Sequence, residues 1–322
     1  MVIDDIKGIG IYSSSTPISC ITKKRYKRAT DFLKSKGFNI INGNLFEKSD
    51  FYRSGTIKDR ANEFNELLYN EQVNILLPSI GGLNTNSILP YIDYEYLKLN
   101  PKIIIGFSDT CALSLAIYAK TGIVTYYGQS LCATFGELSP FVELSYDAFI
   151  NTFLNENIKY KMAPYWSDEF IDWESQDRAK LAYKNEWFST SEDIITGRLI
   201  GGNLNTMEGF IGSEYFPEIK EGDILFLEDS LKDAQTIERS FSMLKLMGVF
   251  DKVSAIILGK HELYDSNGTK RKPFEILLEV LNDKQLPILY DFDCGHTHPM
   301  YLIPIGVNVK LDLKNKTLEV LK

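Results

Sequence analysis

The chain has 322 residues, of which 44% are hydrophobic and 24% charged, with a net charge of -8 at neutral pH. That is the make-up of a folded globular protein, arranged as two domains or one large α/β domain. Acidic residues interspersed with lysines along the whole length exclude a surface built for nucleic acid or anionic lipid.

The opening Met1-Val2-Ile3-Asp4-Asp5 has no basic or apolar leader pattern. Gly8 to Tyr12 reads as a strand, Thr22 to Lys36 as a helix ended by Gly37, and Phe38 to Ile41 as a second strand. The alternation continues with a helix from Ile57 to Tyr69, a strand Asn74 to Pro78, a strand Lys102 to Gly106 and a helix reaching Lys120. Such a rhythm predicts a parallel sheet covered on both faces and gives an N-terminal α/β domain over residues 1–150.

Residues 151–192 break the rhythm with an aromatic, acidic stretch that holds Trp166, Trp173 and Trp187, and are expected to form a long connecting loop. Residues 193–322 resume as a second α/β domain. Strands are expected at Asp223 to Leu227, Val253 to Gly259 and Pro287 to Tyr290, helices at Ala234 to Leu246 and Pro273 to Leu281, and a hairpin around Lys314-Asn315-Lys316. No stretch approaches the roughly 18 apolar residues of a membrane span, so a cytoplasmic protein is expected. Cys20, Cys111, Cys132 and Cys294 lack C-x-x-C spacing and read as reduced thiols.

The segment Lys102 to Leu113 carries the strongest chemical signal. An apolar strand runs into a helix with almost no loop, and Ser108 stands at the junction, as in a nucleophile elbow. The helix start would favour developing negative charge there, with the amide of Asp109 as one oxyanion donor. Thr110 replaces the second glycine of G-x-S-x-G, and the competing reading is that Ser108 or Asp109 merely caps the helix.

A serine nucleophile needs a base, and only His261, His296 and His298 are available, the last two in the loop Asp293-Cys294-Gly295-His296-Thr297-His298-Pro299. Asp293, His296 and His298 could alternatively hold a metal, although two histidines at that spacing supply few ligands. The orienting carboxylate would be Glu228 or Asp229, where the strand Asp223 to Leu227 ends. Spacing does not separate the two. Gly81-Gly82 fits the second oxyanion donor, and neither it nor Gly201-Gly202-Asn203 has the spacing of a phosphate-binding loop.

Runs in both halves of the chain add a resemblance. Ser79 to Asn86, Leu89 to Tyr94 and Pro101 to Asp109 resemble the N-terminal half of the LD-carboxypeptidase and microcin C immunity peptidase family. Ile200 to Leu204, Ile224 to Asp229, and Gly295-His296 followed by Leu302 to Gly306 resemble its second half. The resemblance implies a Ser108, Glu228, His296 triad with Gly82 and Asp109 amides at the oxyanion. It also implies a Rossmann-like, class I glutamine amidotransferase-like N-terminal domain, a smaller swivelling β/β/α C-terminal domain, a homodimer and no cofactor or metal.

Tyr165 to Glu174, Glu228 to Ala234 and His296 to Met300 are more similar to the microcin C immunity branch, which cleaves aminoacyl-nucleotide conjugates, than to the branch that removes D-alanine from murein tetrapeptides. Gly81, Asn203, Trp166, Trp173 and Lys232 are carried as substrate contacts, the tryptophans because an aromatic loop suits stacking on a base. Ordinary packing is the alternative for them. A catalytically idle homologue that binds a peptide or nucleotide is the competing function class.

Overall fold

The computed structural model describes residues 7–154 and 158–321; the opening segment Met1 to Asp5 and positions 155–157 of the connector lie outside the described residues. Five strands, β1 (Gly8–Tyr12), β2 (Asn39–Asn42), β3 (Ile75–Pro78), β4 (Ile103–Gly106) and β5 (Thr125–Tyr127), pair in parallel in the order β5-β4-β3-β1-β2. β1 and β3 are buried at every position, because helices cover both faces of the sheet. The helix Ile57–Tyr69 begins at a capping box in which Thr56 and Asp59 satisfy each other's backbone amides. Lys23–Ser35 stops ahead of Gly37, whose φ of 90° takes the chain out of the helix.

The connector departs from the expected loop. It forms β6 (Lys159–Tyr160), β7 (Tyr165–Trp166), β8 (Tyr183–Lys184) and β9 (Phe188–Ser189). β7 and β8 pair with each other, whereas β6 and β9 add to opposite edges of the second sheet. Trp187 is fully buried with its ring centroid 4.6 Å from that of Phe292, so the segment is bolted into the core by side chains rather than by local periodicity.

The second sheet adds β10 (Ile194–Asn203), β11 (Ile224–Glu228), β12 (Ala255–Gly259), β13 (Ile288–Phe292), β15 (Asn308–Asp312) and β16 (Thr317–Val320), in the order β6-β16-β15-β10-β11-β12-β13-β9. β10 is longer than its glycine motif alone indicates. Its first half pairs antiparallel with β15 and its second half parallel with β11. β14 (Ile303–Ile305) crosses back and lies antiparallel on β5 of the first sheet. Tyr12, Leu113 and Tyr127 therefore share one buried cluster with Phe226, Leu258 and Phe292, and the two sheets are held against each other by a common core. Among the described residues no helix is long and apolar enough to cross a membrane.

Candidate active site

β4 ends at Gly106, and the chain turns within two residues into a 3₁₀ turn and the helix Cys111–Thr121. Thr110, the residue that departs from the elbow pattern, closes this turn. Its hydroxyl donates to the Phe107 carbonyl at 2.8 Å and accepts from the Phe107 amide at 2.7 Å. Ser108 is thereby held at a φ of 52°, a conformation a serine adopts only when its surroundings impose it. Gly106 is obligatory here, since a Cβ on it would lie 2.1 Å from the Ser114 hydroxyl oxygen.

The Gly81-Gly82 turn after β3 approaches from the neighbouring strand. A Cβ on Gly81 would sit 2.6 Å from the Ser108 Cβ, 2.9 Å from its Oγ and 3.2 Å from the Asp109 amide nitrogen. Asp109 is buried, and its carboxylate accepts from the amides of Asn84 and Thr85, both at 2.9 Å, and from the Thr85 hydroxyl at 2.7 Å. The side chain next to Ser108 thus pins the loop that carries Gly81 and Gly82.

β11 ends at Glu228, which is fully buried. Its Oε2 lies 2.8 Å from Nδ1 of His296, and its Oε1 accepts from Tyr127 Oη and, at 2.9 Å, from Asn203 Nδ2. Asp229 faces elsewhere, accepting from the amides of Asn205 at 3.0 Å and Ser230 at 2.9 Å. Gly295, at a φ of 139°, lets the histidine loop close over the carboxylate, because a Cβ there would lie 2.5 Å from Glu228 Oε2. The His296 ring packs against Phe107 with centroids 4.6 Å apart.

Burial alone would lower the pKa of His296, but the charge and hydrogen bond of Glu228, reinforced by Glu262 and Asp229, outweigh it and hold the imidazole above its ordinary value. Burial alone would raise Glu228, and His296, Tyr127 and Asn203 reverse that. The pair is arranged to stabilise a positive imidazole beside a carboxylate.

Ser108, His296, Gly81 and Gly82 line one cavity of about 230 Å³ between the two halves, together with Trp173, Lys180 and His298. This is where the strand ends of both sheets converge, the position at which open α/β sheets place ligands. Trp166 lies in a separate cleft with His261, near Lys260. Lys232 is not among the cavity-lining residues, and Asn203 spends its amide on Glu228. Tyr127, which no motif marks, joins the two halves, because it accepts from the Ser108 amide at 3.3 Å and donates to Glu228. The sequence gives no expected strand at Thr125–Tyr127, so nothing there singles this residue out.

Asp293 bonds Lys260 at 2.6 Å and Asn185 at 2.7 Å, while His296 faces Glu228 and His298 faces Glu137. The three side chains of the alternative metal set therefore turn to three different partners. Among the described residues no group of three or more His, Cys, Asp or Glu side chains is placed to hold a metal ion. Desolvation pushes the pKa of half-buried His261 down to about 4, against the charge of Glu228, which acts to raise it.

Two family models match the chain, that of the LD-carboxypeptidase N-terminal domain over residues 9–128 and that of the LD-carboxypeptidase C-terminal domain over residues 196–311. The chain belongs to the LD-carboxypeptidase family. Within that family it is 52% identical to the microcin C7 self-immunity protein MccF of Escherichia coli over 317 residues, covering 97% of this chain and 92% of that protein. It is 51% identical to a Vibrio cholerae protein classed among the carboxypeptidases over 311 residues, covering 96% of this chain and 93% of that protein. The solved structure of MccF in complex with glutamyl sulfamoyl guanosine superposes with a TM-score of 0.96 at 51% identity, covering 98% of this chain and 96% of that one. MccF in complex with aspartyl sulfamoyl adenosine superposes with a TM-score of 0.97 at the same identity and coverage. The two-domain α/β architecture implied by the family resemblance is the one observed.

Proposed function

We propose that the chain is a serine peptidase of the microcin C immunity type, which hydrolyses the amide joining an aminoacyl group to a nucleotide-like moiety. Ser108 is the nucleophile, His296 the base and Glu228 the residue that orients it. His296 takes the Ser108 proton as Oγ attacks the carbonyl carbon, and the amides of Asp109 and Gly82 receive the oxyanion. The carbon–nitrogen bond breaks as His296 returns the proton to the leaving nitrogen. Water, deprotonated by the same imidazole, then releases the acyl group as a carboxylic acid and restores Ser108.

The observation that carries this reading is a serine at positive φ in the same cavity as a histidine hydrogen-bonded to a fully buried glutamate. The 52% identity to MccF, and the aminoacyl sulfamoyl nucleosides bound to that protein, support the substrate class. Trp173, an aromatic wall of the cavity, is assigned to stacking on the base, and Gly81 to close contact with the acyl group. The reading carries with it a cytoplasmic homodimer, as the family resemblance implies.

The second reading is removal of D-alanine from murein tetrapeptides. A Bacillus subtilis relative named for murein peptide carboxypeptidase activity, 24% identical over 318 residues, supports it. The purified chain is expected to turn over aspartyl sulfamoyl adenosine at least about tenfold more efficiently than murein tetrapeptide, a difference of ~1.4 kcal/mol in the barrier. The reverse order of kcat/KM would select the murein reading.

A further inference from the structure

The oxyanion donor assigned to Gly82 belongs to a Gly-Gly peptide, the pair of residues least able to hold a backbone orientation unaided. Gly82 has a φ of 153°. Were that peptide to turn over, the Gly81 carbonyl would stand where the Gly82 N–H had been, and an acceptor would meet the developing negative charge. The orientation has to be imposed from outside the pair.

Ser13, Ser14, Ser15 and Thr16 follow β1, and each bonds the end of β3 or the loop beyond it. Ser13 Oγ lies 3.1 Å from Ser79 Oγ, and Ser14 Oγ lies 2.9 Å from Thr85 Oγ1. The Thr16 amide donates to the Gly81 carbonyl at 3.3 Å. The Gly81–Gly82 peptide is trans, so its carbonyl and its N–H point opposite ways. Holding the carbonyl on the Thr16 side therefore turns the Gly82 N–H to the other side.

Ser15 grips the residues that follow. It is 1% exposed, and its Oγ accepts from the Leu83 amide at 3.0 Å and the Asn84 amide at 3.3 Å while donating to Asn84 Oδ1 at 3.0 Å. A Cβ on Gly82 would lie 2.1 Å from that same Oγ, so the hydroxyl abuts the residue that bears the oxyanion donor. Ser15 is itself fixed, because its carbonyl accepts from the amide and the hydroxyl of Ser54, both at 2.8 Å. Thr16 completes the arrangement by lining the cavity beside Gly82 and Ser108.

We propose that Ser15 is a positioning residue for catalysis: its hydroxyl, acting with the Thr16 amide, holds the Gly81–Gly82 peptide with the N–H turned to the oxyanion. The proposal rests on the serine mechanism given above and deepens it by naming what keeps the second oxyanion donor in place. A hydroxyl that works in this way affects the transition state more than the bound substrate, because the oxyanion exists only in the former.

The test compares wild type with Ser15→Ala in two assays, hydrolysis of aspartyl sulfamoyl adenosine and covalent labelling of Ser108 by a fluorophosphonate, whose phosphonyl oxygen takes the oxyanion position. The final extent of labelling counts folded sites, and the rate constant of labelling reports the oxyanion donors. In Ser15→Ala, kcat and the labelling rate constant are both expected to fall about tenfold to a hundredfold, with KM within about twofold of wild type. Asn84→Ala, which removes one of the Ser15 partners from a half-buried side chain, is expected to shift both in the same direction, and it decides the matter should Ser15→Ala fail to fold. Wild-type values of kcat and of the labelling rate constant in the folded variants, with only a lower extent of labelling or a lower Tm, overturn the positioning role and leave the serine mechanism standing. Absence of both hydrolysis and labelling in wild type overturns the serine mechanism, and the positioning role with it.

Discussion

Nδ1 of His296 lies 2.8 Å from Oε2 of Glu228, and the two are sealed together, the glutamate fully buried and the histidine 9% exposed. The carboxylate raises the imidazole pKa, and a base must be neutral to accept the Ser108 proton. The acid limb of kcat/KM is therefore expected above the ordinary histidine value of 6.5, with activity rising as pH increases through it. In Glu228→Gln the anion is gone, so the residual activity is lower and its acid limb moves to lower pH. A pH–rate profile of both proteins checks the sign, and an unmoved limb would separate His296 from Glu228 functionally.

Tyr127 ties Ser108 to Glu228 through one hydroxyl. Tyr127→Phe removes that oxygen and leaves the buried ring, so the fold is kept and kcat/KM falls about tenfold, the size of one lost hydrogen bond to a charged group. Steady-state kinetics alongside thermal melting distinguishes this from general destabilisation, in which Tm would fall and the activity per folded molecule would not.

Gly81 is needed for space, because a Cβ would press on both Cβ and Oγ of Ser108. Gly81→Ala is expected to reduce kcat/KM by roughly a hundredfold, as displacement of a reacting atom by about 1 Å does. The helices and sheets are distant from the substitution, so far-UV circular dichroism should be unchanged. Full activity in this variant would mean that Gly81 does not abut the reacting oxygen.

Asp109→Ala leaves the amides of Asn84 and Thr85 and the Thr85 hydroxyl without their shared acceptor. A loss of about 2–4 kcal/mol in denaturant unfolding is expected, from several bonds to one buried charge. A loss of kcat should accompany it, since the same loop carries the Gly82 amide. Unchanged stability would show that the loop is fixed by other contacts.

What the sequence revealed and what it concealed divide along local and non-local lines. The elbow at Ser108 is legible because strand, turn and helix are contiguous, whereas the end of β11 narrows the orienting carboxylate to Glu228 or Asp229 without separating them. His296 could not be told from His261 and His298 on spacing, since what separates them is the Glu228 carboxylate, 68 residues away in the chain. The connector looked structureless because Trp187, β6 and β9 are held by partners more than 90 residues distant, and such pairing leaves no period in the segment itself. β14 escaped for the same reason, its partner β5 lying in the other half of the chain. Lys180 carries no motif at all, and its place beside His298 and Glu137 is a product of the folded chain.

The serine mechanism is tested most directly at Ser108 itself. Wild-type protein should react with a fluorophosphonate to give one covalent adduct on Ser108, located by peptide mass spectrometry. Ser108→Ala should escape the label and hydrolyse aspartyl sulfamoyl adenosine roughly a thousandfold or more slowly than wild type. An alanine variant that turns the substrate over at the wild-type rate would contradict the account.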